Sequence, residues 1–278
     1  MIAIVIPYYK SDFFETTLKS LSNQTNKNFK VYIGDDNSSD DPTTIIKKFE
    51  NQISIQYKKF DTNMGAKSLP KQWQRCIELT NNEEWLIILG DDDVLGIKCI
   101  EKFYESLQEI NRNNINVVKF ATYIIDENDN IKSRKFEHPQ IEKSTDFLYR
   151  KLKQETRSSI SEYVFKMNIV KKYKFKNYPL AWHSDDFAFL QFSQFNNIFS
   201  INEEVVYFRY SNVNISGQKS INQYKKHKAT FLFYADLVFK YFSKFNFNQK
   251  KIIFKYFILN SYFIVKFYLL KQLCKLLF

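Results

Sequence analysis

The sequence predicts an α/β fold with a mostly parallel central sheet and flanking helices, followed by a C-terminal helical segment. Short apolar runs alternate with amphipathic stretches through the first 125 residues, which is typical of strands and helices that alternate around a parallel sheet. One run, Trp85–Leu89, is apolar throughout, as expected of a strand covered on both faces. From Asn222 onward the sequence becomes helical in pattern, aromatic and basic.

The predicted strands are short apolar runs, several of which stop at a residue that disfavours a regular strand. The first, second and fourth end at Pro7, Gly34 and Gly90. The five predicted strands are Ala3–Ile6, Phe29–Ile33, Ile53–Tyr57, Trp85–Leu89 and Val117–Ile125.

The segments between these strands have apolar residues at helical spacing. The predicted helices are Thr16–Asn23, a helix beginning at Asp40–Pro42, Leu69–Leu79 and Lys98–Ile110. Proline at position 42 suits the first turn of a helix. After Asp126 the alternation loosens, and we expect polar loops and mixed strands.

Composition excludes several classes of protein. The chain has 278 residues, of which 44% are hydrophobic, enough for a sizeable core. Three cysteines without a CxxC pair and three scattered histidines do not predict a disulfide framework or a zinc site. The sequence contains no run of about 18 uncharged apolar residues, so we expect no transmembrane helix. The apolar run Ile2–Ile6 is too short for a signal peptide, so we expect a protein that is not secreted and lies in the cytoplasm.

The net charge of +11 is concentrated at one end of the chain. Residues 219–278 contain 12 lysines and a single acid, Asp236. Nucleic acid would attract such a segment, but arginine, the usual reader of bases, is lacking there. An anionic membrane surface would attract it as well, and the apolar residues of 222–278 favour peripheral binding. Packing of these helices on the α/β domain, or on a second subunit in a homo-oligomer, is the alternative.

Two acidic clusters follow predicted strands. Asp35-Asp36 comes after the second strand and Asp91-Asp92-Asp93 after the fourth. Ligands of parallel sheets bind at the carboxyl ends of the strands, so both clusters should face one edge. Adjacent carboxylates repel unless a cation joins them, and oxygen ligands favour Mg²⁺ or Mn²⁺. A solvated acidic turn is the alternative interpretation.

A third cluster, Asp185-Asp186, follows Trp182-His183-Ser184. Ser184 is a candidate helix cap, with the two acids in the first turn. From the local sequence alone, a structural and a functional role for this cluster are equally supported.

Together these motifs resemble family 2 glycosyltransferases of the GT-A fold, which is Rossmann-like. The resemblance covers residues 1–216, and residues 217–278 form the basic helical region. The motifs that carry it are Ile4-Val5-Ile6-Pro7-Tyr8-Tyr9, Asp35-Asp36-Asn37-Ser38-Ser39-Asp40, Asn63-Met64-Gly65, Gly90-Asp91-Asp92-Asp93, Asp185-Asp186 and Phe208-Arg209-Tyr210 with Ile215-Ser216. Each motif is weak alone, whereas their order and spacing are specific.

The resemblance implies roles for individual residues on the donor side. Asp36 would meet the nucleobase in a pocket shaped by Pro7 and Tyr9, while Asn63 and Gly65 would line the nucleotide. The Asp91-Asp92-Asp93 motif would hold Mg²⁺ or Mn²⁺ against the diphosphate. Because Gly90 stands where the family pattern has its first aspartate, Asp92 is the first choice of metal ligand, with Asp93 and Asp91 beside it.

On the acceptor side, the resemblance implies that the Asp185-Asp186 pair supplies the catalytic base. The family pair usually begins with glutamate, and we prefer Asp186, with Asp185 second. Trp182, His183 and Arg209 are candidate acceptor contacts. Pro70 and Lys71 replace an expected Arg-Asn pair, and Lys67, Lys71 or Arg75 could contact phosphate instead, unless they are solvated helix residues.

The implied activity is inverting transfer of a hexosyl or N-acetylhexosaminyl group from a nucleotide-diphosphate sugar, with uridine the expected base. The acceptor would be a glycan or a lipid-linked glycan of a bacterial surface polysaccharide, such as lipopolysaccharide or capsule, made by an enzyme peripheral to the inner face of the cell membrane. A non-catalytic nucleotide-sugar or glycan-binding module on the same fold and a sugar nucleotidyltransferase are the alternatives. A nucleotidyltransferase would normally carry a glycine-rich phosphate loop, which the first strand lacks.

Overall fold

A computed structural model describes residues 1–211 and 223–277, which form a nine-stranded mixed sheet with helices on both faces. The strands are β1 (Ile2–Tyr8), β2 (Phe29–Asp35), β3 (Ile55–Lys59), β4 (Trp85–Ile88), β5 (Val94–Leu95), β6 (Val117–Ile125), β7 (Ile141–Lys143), β8 (Tyr163–Lys166) and β9 (Asn197–Arg209). The helices are α1 (Phe14–Ser22), α2 (Thr43–Lys47), α3 (Leu69–Ile77), α4 (Cys99–Arg112), α5 (Ser144–Leu152), α6 (Met167–Tyr173), α7 (Ser184–Phe192), α8 (Gln223–Lys240) and α9 (Phe247–Leu277).

The N-terminal half of the sheet is parallel, in the order β3-β2-β1-β4. This arrangement confirms the predicted α/β class, and all five predicted strands are present. Because β1, β2 and β4 run in parallel, the chain leaves all three strands at the same edge of the sheet. That edge carries both acidic clusters.

The other half of the sheet is mixed. Strand β8 lies antiparallel between β4 and β6, so Val117–Ile125 does not pair with Trp85–Ile88 as simple alternation would suggest. Strand β9 pairs with β6 in parallel and with β5 and β7 antiparallel. Its pairing with β5 brings Arg209 back beneath the aspartates that follow β4.

Each face of the sheet has its own core. Helices α1 and α4 bury Leu18, Leu21 and Phe103 on one face. Helices α3, α5, α6 and α7 cover the other face, where aromatic side chains such as Phe189 pack edge-on and stacked. This second core contains more buried aromatic side chains than the first.

The C-terminal helices pack on this second face. Phe233 and Leu237 of α8 are fully buried in the same core as α7. The hydroxyl of Tyr178 donates a 2.7 Å hydrogen bond to Asp236, the lone acid of the basic segment. Packing on the α/β domain was one interpretation of this segment, beside binding to a membrane, to nucleic acid or to a second subunit. The structure shows this packing for α8 and the first part of α9. The predicted boundary at residues 216 and 217, like Ile215-Ser216, lies outside the described residues.

Up to Phe267, the outer surface of α9 exposes apolar side chains together with lysines. Its large exposed apolar side chains there are Phe247, Phe254, Ile258, Leu259, Tyr262, Phe263, Val265 and Phe267. Within the described ranges no helix combines the length and the hydropathy that crossing a membrane requires.

Candidate active site

A cavity of about 440 Å³ opens at the carboxyl ends of β1, β2 and β4. It brings together the eight residues predicted to line the nucleotide or hold the metal, whereas Lys67, Lys71 and Arg75, the candidate phosphate contacts, do not line it. The eight residues are Pro7, Tyr9, Asp36, Asn63, Gly65, Asp91, Asp92 and Asp93. They come from four separate motifs, so their convergence depends on the parallel order of the strands.

Asp36 holds the loop that forms one wall of this cavity. Its carboxylate accepts hydrogen bonds from the backbone N–H groups of Met64 (2.6 Å) and Gly65 (2.7 Å) and pairs with Arg75. A Cβ at position 65 would lie 2.5 Å from Asp36 Oδ2, so glycine is required for this approach. The guanidinium carbon of Arg75 also lies 3.9 Å from the centroid of the Phe60 ring. Arg75 therefore supports this wall of the cavity, whereas the sequence left open a phosphate contact.

Asp91 joins the ends of β4 and β1. Its Oδ2 accepts hydrogen bonds from the backbone N–H groups of Tyr9 (2.8 Å) and Lys10 (2.9 Å). Burial raises the pKa of Asp91 to about 6, although these two donors oppose the shift. The negative charge of Asp93 adds to the increase. Added positive charge at this edge would therefore favour the ionised form.

Asp93 and Arg209 hold in place the turn Gly90–Asp93 that follows β4, which we refer to as the aspartate turn. Asp93 is 3% exposed, and its carboxylate accepts hydrogen bonds from the Arg209 backbone N–H (2.8 Å) and the Ser161 hydroxyl. The Arg209 guanidinium donates to the carbonyl oxygens of Asp92 (2.8 Å) and Asp126 (2.7 Å). Arg209 lines neither cavity of this region, so the structure does not bring it together with Trp182 and His183. Its contacts are those of a support for the aspartate turn.

The aspartate turn would suit a divalent cation that takes the oxygens of a diphosphate as its further ligands. In residues 1–211 and 223–277, no three His, Cys, Asp or Glu side chains are grouped to hold a metal by themselves. Asp91 and Asp93 face protein donors, and half-buried Asp92 lies between them on the cavity wall. A Cβ at Gly90 would lie 2.7 Å from Asp92 Oδ1. Glycine therefore makes room for Asp92, and magnesium typically takes one or two carboxylates plus phosphate oxygens.

A second cavity, of about 720 Å³, lies between the α/β domain and the C-terminal helices. Trp182, His183 and Asp186 line it. We refer to it as the helix-domain cavity. Asp185 lines neither cavity.

The two adjacent aspartates of α7 have opposite electrostatic environments. Asp186 is paired with Lys151 and accepts a 2.7 Å hydrogen bond from His183 Nδ1. Burial would raise the pKa of Asp186, but Lys151 and His183 outweigh it and lower the pKa well below its ordinary value. Burial and the charge of Asp186 raise the pKa of Asp185 to about 6. The cap position of α7 falls on His183, with φ of 67°, so the prediction of Ser184 as the cap was wrong.

Three side chains that shape these sites were missed from the sequence. Lys151 meets Asp186 from α5, and Ser161 meets Asp93 from the turn before β8. Lys10 lines the first cavity next to Tyr9. The sequence could have indicated Lys10, because it directly follows Tyr9, a predicted site residue. Lys151 and Ser161 carry no local signal, because their partners lie 35 and 68 residues away.

The fold and the aspartate-lined edge define a GT-A glycosyltransferase. The model of the family Glycosyl transferase family 2 matches residues 3–178, more than half of the chain, and the chain belongs to this family. No curated protein sequence matches it significantly.

Solved structures show the same fold at low sequence identity. S. aureus TarS residues 1–349 in complex with UDP-GlcNAc is 15% identical, with a TM-score of 0.71 over 94% of this chain and 72% of that chain. The same protein in complex with UDP gives a TM-score of 0.65 at 16% identity, over 92% of this chain and 70% of that chain. The mannosyltransferase PcManGT from Pyrobaculum calidifontis, in complex with GDP-Man and Mn²⁺, gives 0.60 at 10% identity, over 95% and 71%.

Proposed function

We propose that the protein transfers a sugar from a nucleotide-diphosphate donor, UDP-linked by preference, to an acceptor hydroxyl with inversion at the anomeric carbon. The observation that carries this proposal is the convergence of four motifs in one cavity at the carboxyl edge of the sheet. Membership of the glycosyltransferase family supports the class of reaction. TarS with UDP-GlcNAc supports the choice of uridine.

The first cavity is the proposed donor site. Pro7, Tyr9 and the loop held by Asp36 would enclose the nucleoside, and Asp92 would hold Mg²⁺ or Mn²⁺ with Asp91 and Asp93 beside it. When bound, the cation supplies charge neutralisation at the leaving diphosphate. Within this chain, Asp91 and Asp93 keep the turn in place through their backbone and Ser161 contacts.

The proposed base comes from the Asp185-Asp186 pair, of which Asp186 lines the helix-domain cavity and Asp185 lines neither cavity. A general base works best when its pKa is close to the working pH. The pKa of Asp185 is about 6, whereas Asp186 is committed to Lys151 and His183. The pKa values favour Asp185 as the base, whereas access to the cavity favours Asp186, the residue that the sequence motif preferred.

We also propose peripheral membrane binding through α9. The exposed apolar residues of this helix are interspersed with Lys255 and Lys266, a combination that favours the interface of an anionic bilayer. This location would suit a lipid-linked glycan acceptor. Ile258→Ser is expected to weaken sedimentation with phosphatidylglycerol vesicles several-fold, because Ile258 is 50% exposed. Equal binding of the variant and the wild type, or equal binding to neutral phosphatidylcholine vesicles, would contradict the proposal.

The donor site is tested by thermal unfolding with UDP, GDP and dTDP, each with and without Mn²⁺. A ligand that binds the folded state stabilises it by RT ln(1 + [L]/Kd), about 2.7 kcal/mol at 100 times Kd. We expect UDP with Mn²⁺ to stabilise the wild type and Asp92→Asn to lose the metal-dependent part. Glu50→Gln, which removes an exposed acid outside the cavity, is the control and should behave as wild type. Failure of every nucleotide to stabilise the wild type would refute a working donor site.

A further inference from the structure

The segment 178–183, which leads into α7, has an unusual backbone that other contacts must hold. Leu180, Ala181 and His183 have φ angles of 58°, 55° and 67°, a left-handed conformation that residues other than glycine seldom adopt. The Asp185-Asp186 pair follows directly. The contacts that hold this segment in place therefore also set the position of the acidic pair.

Helix α8 contacts the ring of His183 on one face and at one nitrogen. The face stacks on Phe233, with the ring centroids 4.7 Å apart and the ring planes at 7°. The Nε2 atom lies 3.1 Å from the hydroxyl oxygen of Thr230, while Nδ1 donates the 2.7 Å hydrogen bond to Asp186. The imidazole therefore connects α8 to the acidic pair.

The hydroxyl group of Thr230 is anchored on its own helix. Its oxygen also lies 2.9 Å from the carbonyl oxygen of Lys226, one turn earlier in α8. A hydroxyl can both donate and accept, so Thr230 can pair with Nε2 of His183 whether or not this nitrogen carries a hydrogen. A partner at one ring nitrogen fixes the orientation in which the other nitrogen meets its own partner. Thr230 therefore keeps Nδ1 directed at Asp186.

The charge of Asp186 depends on the groups that face it from several elements. They are Lys151 of α5, Tyr163 of β8, Tyr234 of α8, and His183 and Asp185 beside it in sequence. Burial raises the pKa of Asp186, and Lys151 and His183 outweigh this effect. Without the hydrogen bond from His183, the pKa of Asp186 would rise. The charge of Asp186 in turn acts on Asp185, so both carboxylates depend on this contact.

We propose that Thr230 is a positioning residue for the transfer reaction, which through His183 holds the carboxylate of Asp186 in place and so links the C-terminal helices to the acidic pair. This inference rests on the proposed transferase function and adds a residue of α8 to the control of its base. It applies whichever aspartate is the base, because Asp186 contacts His183 directly and its charge acts on Asp185.

The test observes the His183 ring by NMR of the full chain, which requires no substrate. The sequence has three histidines, His138, His183 and His227, and the signal that disappears in His183→Gln is assigned to His183. We expect a ring Nδ1–H signal in the wild type that persists into the acid range, since Lys151 and His183 keep Asp186 ionised. Thr230→Val removes the hydroxyl and retains the shape. In this variant the signal should be lost, or the midpoint of its pH titration should rise by about one pH unit or more, the equivalent of one hydrogen bond to a charged group.

Two further variants separate the hydroxyl from a general effect of the substitution. Thr230→Ser, which retains the hydroxyl, should keep the wild-type signal. Thr44→Val, the same change at an exposed position of α2, should keep it as well. Wild-type behaviour of Thr230→Val, absence of the Nδ1–H signal from the wild type, or equal changes in the valine and serine variants at position 230 would overturn the inference.

The donor side provides the comparison that separates this inference from the proposed function. Thr230→Val should lower the rate of nucleotide release several-fold without a change in the Kd of UDP, and Thr230→Ser should restore the rate. If UDP with Mn²⁺ stabilises the wild type but Thr230→Val keeps the wild-type ring signal and rate, only the role of Thr230 fails. If UDP stabilises neither the wild type nor the variants, the proposed function fails, and the inference that rests on it fails as well.

Discussion

Asp185→Asn is expected to stabilise the folded protein at neutral pH while removing one of the two candidate bases. The pKa of Asp185 is raised from 3.8 to about 6 by burial and by the charge of Asp186. A raised carboxyl pKa means that the fold disfavours the ionised form. The shift of about 2 pKa units corresponds to about 3 kcal/mol at pH values above 6. Asparagine has the same shape and carries no charge, so the variant avoids this cost.

The gain should depend on pH in a defined direction. Below pH 3.8 the carboxyl is protonated in both states, and the cost is absent. It grows between pH 3.8 and about 6, where the unfolded chain ionises and the folded one does not. We expect urea unfolding at pH 8 to show a gain approaching about 3 kcal/mol, most of which is lost at pH 4.

The neighbouring residue provides a control of opposite sign. Asp186→Asn removes the partner of Lys151, whose side chain is only 22% exposed, and should cost about 2–3 kcal/mol. Both variants change one carboxylate to an amide in the first turn of α7. A gain for Asp185→Asn that is the same at pH 4 and pH 8 would refute the electrostatic argument. So would stabilisation by Asp186→Asn.

Three further outcomes follow from the same contacts. Gly65→Ala should weaken UDP binding about tenfold or more in calorimetry with the chain still folded, since its Cβ would lie 2.5 Å from Asp36 Oδ2 and displace the loop; wild-type affinity would contradict this. Arg209→Lys should reduce stabilisation by UDP with Mn²⁺, because lysine lacks the fork that holds the Asp92 carbonyl; stabilisation equal to that of the wild type would show that the support is dispensable. Transfer assayed by nucleotide release should fall below about pH 6 as Asp185 becomes protonated, and a flat profile down to pH 4 would exclude Asp185 as the base.

The local sequence was enough to predict the elements of the parallel half. Apolar runs bounded by Pro7, Gly34 and Gly90 correspond to β1, β2 and β4, with ends that differ by a few residues. Runs of this kind are read from neighbouring residues alone, since strand and helix periodicity is local. The order of the motifs was also sufficient to indicate the family that the family model then matched.

The mixed half could not be predicted in the same way. Strand β8 inserts between β4 and β6, and this pairing joins segments distant in sequence. The amphipathic pattern of the C-terminal region was compatible with a membrane, the α/β domain or a second subunit. The tertiary structure shows which surface α8 packs on, because Phe233 and Leu237 are buried on the α/β domain. The outer face of α9 is exposed up to Phe267.

The sequence by itself determined which residues could form the donor site, because carboxylates placed directly after apolar strands of a parallel sheet share one edge. Only the tertiary structure decided what each of them contacts. Lys151, which lies on a different helix, pairs with Asp186 and helps to hold the pKa of Asp186 below that of Asp185. Arg209 supports the aspartate turn through the carbonyl oxygen of Asp92. Charge interactions depend on distance and burial in space, and neither is encoded in the spacing of residues along the chain.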